Sequence, residues 1–87
     1  MKFEIFWADK KAQKQFDSLS PFVKNRITKA IKDLLSEPKP QNSKKLSGNL
    51  KGVWRLRCGD YRILYDIDEK SKKVILLNIG HRRNIYR

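Results

Sequence analysis

The spacing of hydrophobic residues changes along the first twenty positions. Polar and apolar residues alternate over residues 2–7, which predicts a strand. Its apolar face carries Phe3, Ile5 and Trp7. Asp9 is a suitable helix N-cap, and the apolar residues after it recur at helical spacing. These residues are Ala12, Phe16 and Leu19, and they predict a short first helix.

A second helix is predicted directly after the first. Ser20 followed by Pro21 is typical of a helix start, because serine caps the free amides and proline suits the first helical position. One apolar stripe follows, made of Val23, Ile27, Ala30, Ile31, Leu34 and Leu35. We expect the helix to run to about Glu37, because Pro38 and Pro40 prevent its continuation. The tight junction predicts an antiparallel helical hairpin.

The second half of the chain returns to strand patterns. Residues 38–50 are predicted to form a loop, and three strands follow at Val53–Arg57, Tyr61–Ile67 and Val74–Gly80. The unbroken apolar run of the last strand predicts an interior position in the sheet. We therefore predict one small α+β domain spanning residues 1–87. Its order is β-α-α-β-β-β, with a curved, mainly antiparallel sheet packed against the helical hairpin.

A two-residue loop is predicted at Gly59 and Asp60, because glycine tolerates a positive φ at the first loop position. The register that follows pairs Cys58 with Tyr61, Arg57 with Arg62, Leu56 with Ile63, Arg55 with Leu64, and Trp54 with Tyr65. One face then carries Trp54, Leu56, Ile63, Tyr65 and Ile67, and the other carries Arg55, Arg57, Arg62 and Leu64. Directly opposed like charges destabilise a sheet, so this pattern predicts an anion between them.

The overall charge points to a polyanionic partner. The chain has 21 Lys and Arg against 9 Asp and Glu, a formal net charge of +12, and nucleic acid is the first class of partner that such a charge indicates. A membrane surface or an acidic protein also fits. The single cysteine, Cys58, forms no internal disulfide and no metal site by itself. No signal peptide or membrane-spanning run is apparent, so we expect a cytoplasmic protein.

The last eight residues, 80–87, concentrate reactive side chains without any acidic residue. They hold three arginines, the single histidine of the chain and a tyrosine: Arg82, Arg83, Arg87, His81 and Tyr86. Ile85 and Tyr86 are bulky enough to anchor this segment. We therefore expect an ordered basic cluster and not a frayed tail.

These motifs together resemble the RelE-type toxins of the RelE/ParE toxin–antitoxin superfamily. The resemblance lies in residues 54–65, which include Gly59-Asp60-Tyr61-Arg62, and in residues 79–87. Glu37-Pro38 and residues 45–48 also fit. It implies an endoribonuclease that enters the ribosomal A site and cuts messenger RNA there. The 2′-hydroxyl is the nucleophile, and neither metal nor cofactor is required. It also implies a RelB-like antitoxin as partner.

The resemblance assigns roles to residues at the two motifs. Arg62 matches the arginine that stabilises the phosphate, and Arg82 matches the one near the leaving group. Tyr86 matches the tyrosine that acts as base and stacks on the message, and neighbouring arginines would favour its phenolate. The donor of the leaving-group proton stays open, with His81 as one alternative because histidine titrates near neutral pH. Relatives often carry two lysines on the second predicted strand. The corresponding positions here are Val53 and Arg55, so only Arg55 keeps the positive charge.

Further basic residues are expected to dock on RNA backbone without reading its sequence. The residues predicted to do so are Lys44, Lys45, Lys51, Arg57 and Arg83. Lysines of the first helix, Lys10, Lys11 and Lys14, could act in the same way.

Two other functions remain open. A ParE-type toxin shares the fold but acts on DNA gyrase and is not a nuclease; the cluster from Arg82 to Tyr86 argues against it. A basic RNA-binding or ribosome-associated module without any chemistry would use the same face.

Overall fold

A five-stranded sheet and two helices form the fold. The computed structural model describes residues 2–46 and 52–84. The elements are β1 (Glu4–Trp7), α1 (Lys10–Asp17), α2 (Pro21–Leu34), β2 (Ser43–Lys45), β3 (Trp54–Cys58), β4 (Tyr61–Asp68) and β5 (Lys73–His81). The strand order is β1-β5-β4-β3-β2, with β1 parallel to β5 and the other pairs antiparallel. This confirms the predicted α+β class and the interior position of the last strand.

Both helices begin at the predicted caps. Asp9 Oδ1 accepts the Ala12 amide at 2.9 Å, and Ser20 Oγ accepts the Val23 amide at 3.4 Å. The second helix ends at Leu34, three residues before its predicted end at Glu37. The Leu35 amide donates to the carbonyl of Lys32, three residues earlier, at 3.1 Å. The last turn is therefore tighter than a regular α-helical turn, in which the acceptor lies four residues earlier. Residue 37 precedes a proline, and this disfavours the helical conformation there.

The predicted loop at residues 38–50 contains a short strand, β2. Its three residues, Ser43–Lys45, pair with Leu56, Arg55 and Trp54 of β3. The prediction missed this strand because its sequence is polar. As an edge strand it is held by backbone hydrogen bonds to one neighbour, so it needs no apolar residues of its own.

The hydrophobic core lies between the helices and one face of the sheet. Its fully buried members are Ile27, Leu34, Leu56, Ile63, Tyr65, Val74, Leu76 and Ile79. The predicted apolar face of β1, made of Phe3, Ile5 and Trp7, packs against it. Each large aliphatic side chain in this cluster contributes about 1.5–3 kcal/mol by leaving water. The buried Tyr65 donates its hydroxyl to the Pro38 carbonyl at 2.7 Å.

The β3–β4 hairpin has the predicted register at every pair from Cys58 with Tyr61 to Trp54 with Tyr65. Gly59 has a φ of +61° at the first loop position, as the prediction requires. Between β4 and β5 the register shifts: Leu64 pairs with Asn78, and Tyr65 pairs with Leu76. One residue of β5 is therefore left over at this β-bulge.

Candidate functional site

Four cations share the side of the sheet that faces away from the helices. Arg57 pairs directly with Arg62, and Lys44 of β2 pairs with Arg55. Cross-strand partners lie on the same face, as do residues two apart on one strand. We call this side the arginine face and define it by Lys44, Arg55, Arg57 and Arg62. The predicted grouping of the three arginines is confirmed, and Lys44 joins them because of the unpredicted strand β2.

No described acidic residue forms a salt bridge with the Arg57–Arg62 pair. Among residues 2–46 and 52–84, neither guanidinium forms a salt bridge. Arg57 is exposed, whereas Arg62 is half-buried. The Nη1 of Arg62 donates to the carbonyl oxygens of Gly59 at 2.9 Å and Tyr61 at 3.0 Å. These bonds hold one nitrogen of the Arg62 guanidinium at the hairpin turn, while the Cα positions of Arg57 and Arg62 lie directly opposite across the strands.

The end of β5 lies beside this pair. Gly80 is the cross-strand partner of Arg62, and it offers no side chain to cover the guanidinium. The next strand position, His81, pairs with Tyr61. Beyond it, the Arg82 amide donates to the Asp60 carbonyl at 2.8 Å, and the Asn84 amide donates to the His81 carbonyl at 2.8 Å. The chain therefore turns back directly next to the hairpin loop.

His81 lies on the other face of the sheet from Arg62. Because adjacent residues of a strand point to opposite sides, the partner of Tyr61 shares the helix-facing side with it. Their rings meet edge to face at 5.6 Å. The His81 Nδ1 accepts the Arg83 amide at 3.3 Å, so the neutral ring carries its proton on Nε2. Arg82 and Arg83 are both exposed at this turn.

The other predicted docking residues divide between several places. Lys45 pairs with Trp54 and therefore lies on the face opposite to Lys44. The lysines of α1 are exposed, and two of them line an open groove with Gln15: these are Lys11 and Lys14. Two predicted site residues, Lys51 and Tyr86, lie outside the described residues.

One contributor was not predicted from the sequence. The side chain of Gln15 reaches the edge of β5 where β1 has ended. Its Oε1 accepts the Ile79 amide at 2.9 Å, and its Nε2 donates to Asn78 Oδ1 at 2.7 Å. No sequence pattern marks Gln15, because on α1 it resembles any polar surface residue. It holds the part of β5 that leads into Gly80.

Two further properties concern the described residues only. In residues 2–46 and 52–84, no cluster of three or more His, Cys, Asp or Glu side chains is arranged to hold a metal ion. No helix in the same ranges has both the length and the apolar character needed to cross a membrane.

Comparison with known proteins gives consistent matches over nearly the whole chain. The sequence model for the ParE toxin of the type II toxin–antitoxin system parDE matches residues 8–86. Toxin RelG of Mycobacterium tuberculosis is 35% identical over 77 residues, covering 87% of each protein.

Two solved structures have the same fold. A chain of a RelBE toxin–antitoxin complex from Mycobacterium tuberculosis superposes with a TM-score of 0.82 at 29% identity, covering 94% of this chain and all of its own length (100%). A chain of the archaeal RelE–RelB complex from Pyrococcus horikoshii gives a TM-score of 0.81 at 28% identity, with 97% and 99% coverage. In both crystals, a toxin is bound to an antitoxin.

Proposed function

The chain belongs to the ParE toxin family of type II toxin–antitoxin systems, within the RelE/ParE superfamily, and we propose that it is a ribosome-dependent endoribonuclease. In this proposal it enters the ribosomal A site and cuts messenger RNA there by attack of a ribose 2′-hydroxyl, without a metal ion. The cut stops translation.

The directly paired Arg57 and Arg62 are the main support for this proposal. Two guanidiniums opposed across strands destabilise the free protein unless an anion lies between them. A planar guanidinium can hold two phosphate oxygens at once, so the pair is suited to a phosphodiester. Gly80 leaves the strand position beside Arg62 without a side chain, where a sugar–phosphate backbone could approach.

The proposed reaction assigns one task to each group. The 2′-oxygen attacks the adjacent phosphorus as Tyr86 takes its proton, and the P–O5′ bond breaks to give a 2′,3′-cyclic phosphate and a free 5′-hydroxyl. Arg62 and Arg82 stabilise the additional negative charge on the phosphorane oxygens. Arg55 belongs to the same face and contributes to the field there. Removing one such stabilising group lowers enzyme rates by about 10²–10³-fold.

The proton for the leaving 5′-oxygen requires a separate donor. Arginine stays charged and is a poor acid, whereas an imidazolium can give up a proton near neutral pH. In that form the His81 Nδ1 also carries a proton, so the hydrogen bond that it accepts from the Arg83 amide has to break first. His81 lies on the helix-facing side, at the strand position next to Gly80. It can act as the donor only if the message reaches around the end of the sheet. His81→Gln tests this role, because it keeps polar groups but does not titrate.

The proposal also names partners and location. The residues that dock on RNA backbone are Lys44, Lys45, Lys51, Arg57 and Arg83, with Lys45 on the face opposite to Lys44. A RelB-like antitoxin neutralises the toxin, since solved relatives are toxin–antitoxin complexes. Residues 1–87 act as one toxin domain. A ribosome-directed activity implies a cytoplasmic protein.

Primer extension on a defined message in a purified translation system tests the proposal. The proteins compared are wild type, Arg62→Ala, Tyr86→Phe and a charge-matched control, Lys70→Ala. Lys70 is an exposed cation in the β4–β5 turn, at the other end of the hairpin from Gly59. We expect A-site cuts with wild type and Lys70→Ala, and a loss of about 10²-fold or more with the other two.

An intact message with wild-type protein would refute the nuclease proposal. The second candidate would then be a gyrase-directed toxin, because the matching family model is that of ParE. A supercoiling assay with purified gyrase distinguishes it from an RNA-binding module without chemistry. Inhibition supports the gyrase target; its absence, combined with salt-sensitive ribosome binding, supports the binding module.

A further inference from the structure

An exposed phenylalanine stands at the start of α2. The side chain of Phe22 is 71% exposed, while its neighbour Val23 packs against the core. Among the described residues, the large hydrophobic side chains exposed in this way are Phe22 and Phe6. Phe22 therefore presents a single strongly exposed ring on α2.

An arginine connects Phe22 to the hairpin loop. The guanidinium carbon of Arg26, one turn further along α2, lies 6.0 Å from the centre of the Phe22 ring. A β-carbon placed on Gly59 would lie only 3.0 Å from the Arg26 Nη2. The guanidinium thus rests against the loop and occupies space that glycine leaves open, in addition to contacting the aromatic ring.

The same loop contacts the arginine face. The Gly59 carbonyl accepts the hydrogen bond from Arg62 Nη1 at 2.9 Å. Phe22, Arg26, Gly59 and Arg62 therefore form a continuous series of contacts around the end of the hairpin. A cavity of about 170 Å³ lies beside Arg26, between α2 and the loop. The residues lining it include Val23, Ile27, Cys58, Asp60 and Tyr61.

We propose that Phe22 and Arg26 form a stacking platform for one unpaired base of the RNA whose backbone lies on the arginine face. Aromatic rings and guanidinium planes are the groups on which proteins stack unpaired bases, and such stacking tolerates any base. The net charge of +12 suits a polyanion such as RNA. The identity of the RNA as message or ribosomal RNA rests on the proposed function; the stacking itself does not.

The test distinguishes the contribution of an aromatic ring at position 22 from that of apolar surface area alone. Phe22→Tyr keeps the ring, whereas Phe22→Leu keeps an apolar side chain without a ring. Phe6→Leu is the matched control, because Phe6 is 41% exposed and also has a cation, Lys73 Nζ, 5.1 Å from its ring centre. The probe is a short single-stranded 2′-O-methyl RNA that contains 2-aminopurine. Methylation of the nucleophile makes it uncleavable, and 2-aminopurine fluorescence reports stacking.

We expect wild type, Phe22→Tyr and Phe6→Leu to bind with similar affinity and to quench the 2-aminopurine. Phe22→Leu should lose the quenching at this site and bind about 5- to 150-fold more weakly, the range for losing one stacked base. Arg26→Gln should weaken binding in the same direction. The Phe22 and Phe6 variants should keep the thermal midpoint of wild type, because the substituted rings are exposed.

Equal affinity and quenching for wild type and Phe22→Leu would overturn the inference. If Phe22→Leu instead weakened only the binding of the cognate antitoxin, the residue would be a protein contact and the platform would be refuted. Failure of the nuclease proposal is a separate outcome. In that case wild type leaves the message intact on the ribosome, yet the dependence of probe binding on the ring at position 22 persists.

Discussion

Removing the Gln15 side-chain amide should loosen β5 where it approaches Arg62. The last pairing of β1 joins Trp7 to Leu76, and the Ala8 amide donates to the Leu76 carbonyl at 2.9 Å. Beyond this point, no strand formed by the described residues covers that edge of β5. There, the Gln15 side chain replaces the missing strand partner. It accepts a hydrogen bond from the Ile79 amide and donates one to the side chain of Asn78.

Gln15→Met tests this role because methionine has a similar length but no strong donor or acceptor. The variant loses two hydrogen bonds, each worth about 0.5–1.5 kcal/mol net. Ile79 is only 2% exposed, so its amide has little access to replacement water. We therefore expect the free energy of unfolding to fall by about 1–3 kcal/mol, a sizeable part of the ~5–15 kcal/mol typical of a domain.

Urea unfolding and amide hydrogen exchange measure the effect. Gln13→Met is the matched control, because it makes the same exchange at an exposed position of the same helix. We expect the midpoint to fall only for Gln15→Met, with an unchanged m-value, and exchange of the Ile79 amide to accelerate selectively. Equal midpoints for the two variants, or an unchanged exchange rate at Ile79, would refute the role of Gln15.

A double-mutant cycle tests the hydrogen bond between the side-chain amides of Gln15 and Asn78. Gln15→Glu still accepts the Ile79 amide, and Asn78 can turn its amide over and donate to the carboxylate. Asn78→Asp still accepts from Gln15. Each single variant should therefore retain most of the stability, whereas the double variant opposes two carboxylates and should lose more than the sum. Additive effects would show that Gln15 and Asn78 act independently.

Three further predictions follow from single contacts. Tyr65→Phe should lower the free energy of unfolding by about 1–3 kcal/mol in urea titrations, because the Pro38 carbonyl loses its partner. Burial raises the pKa of Tyr65 above its ordinary 10.0, so wild type should lose stability as pH rises past 10, and the variant should lack this contribution. Gly59→Ala should lower the thermal midpoint, because φ is +61° and a guanidinium of α2 occupies the space of the new carbon. Arg57→Gln should raise the midpoint at low salt by relieving repulsion with Arg62 while weakening RNA binding; a lower midpoint would contradict the repulsion.

The hairpin register was predictable because one local feature determines it. A two-residue loop with glycine at its first position fixes every pair that follows, and alternation then assigns each side chain to a face. The strand β2 and the bulge opposite Leu64 have no such local signal. The strand exists through pairing with β3, and the bulge lies on β5 at Leu77, directly after the last residue that pairs with β1. Both are tertiary effects, so periodicity did not reveal them.

The candidate site was predicted best where it follows strand alternation. Arg55, Arg57 and Arg62 were grouped by their positions on two paired strands. His81 was grouped with them through closeness in sequence to Arg82, yet its position on β5 lies on the other face from Arg62. Lys44 and Lys45 are adjacent in sequence but separated by the sheet. Nearness in sequence is thus a poor guide to sharing a site when the residues lie on a strand.

The arginine face is organised before any RNA binds. Arg57 with Arg62 is a like-charged pair that destabilises the sheet by a few tenths to about 1 kcal/mol, and Lys44 lies directly opposite Arg55 on the same face. The register nevertheless holds, because a slip by one residue would expose Leu56 and Ile63 and carry the cations into the core. The apolar packing on one side therefore enforces the repulsion on the other. A phosphate that binds there relieves the repulsion between Arg57 and Arg62, and it meets an Arg62 guanidinium that is already held at the hairpin turn. Added salt should weaken the affinity for RNA without altering the geometry of the face.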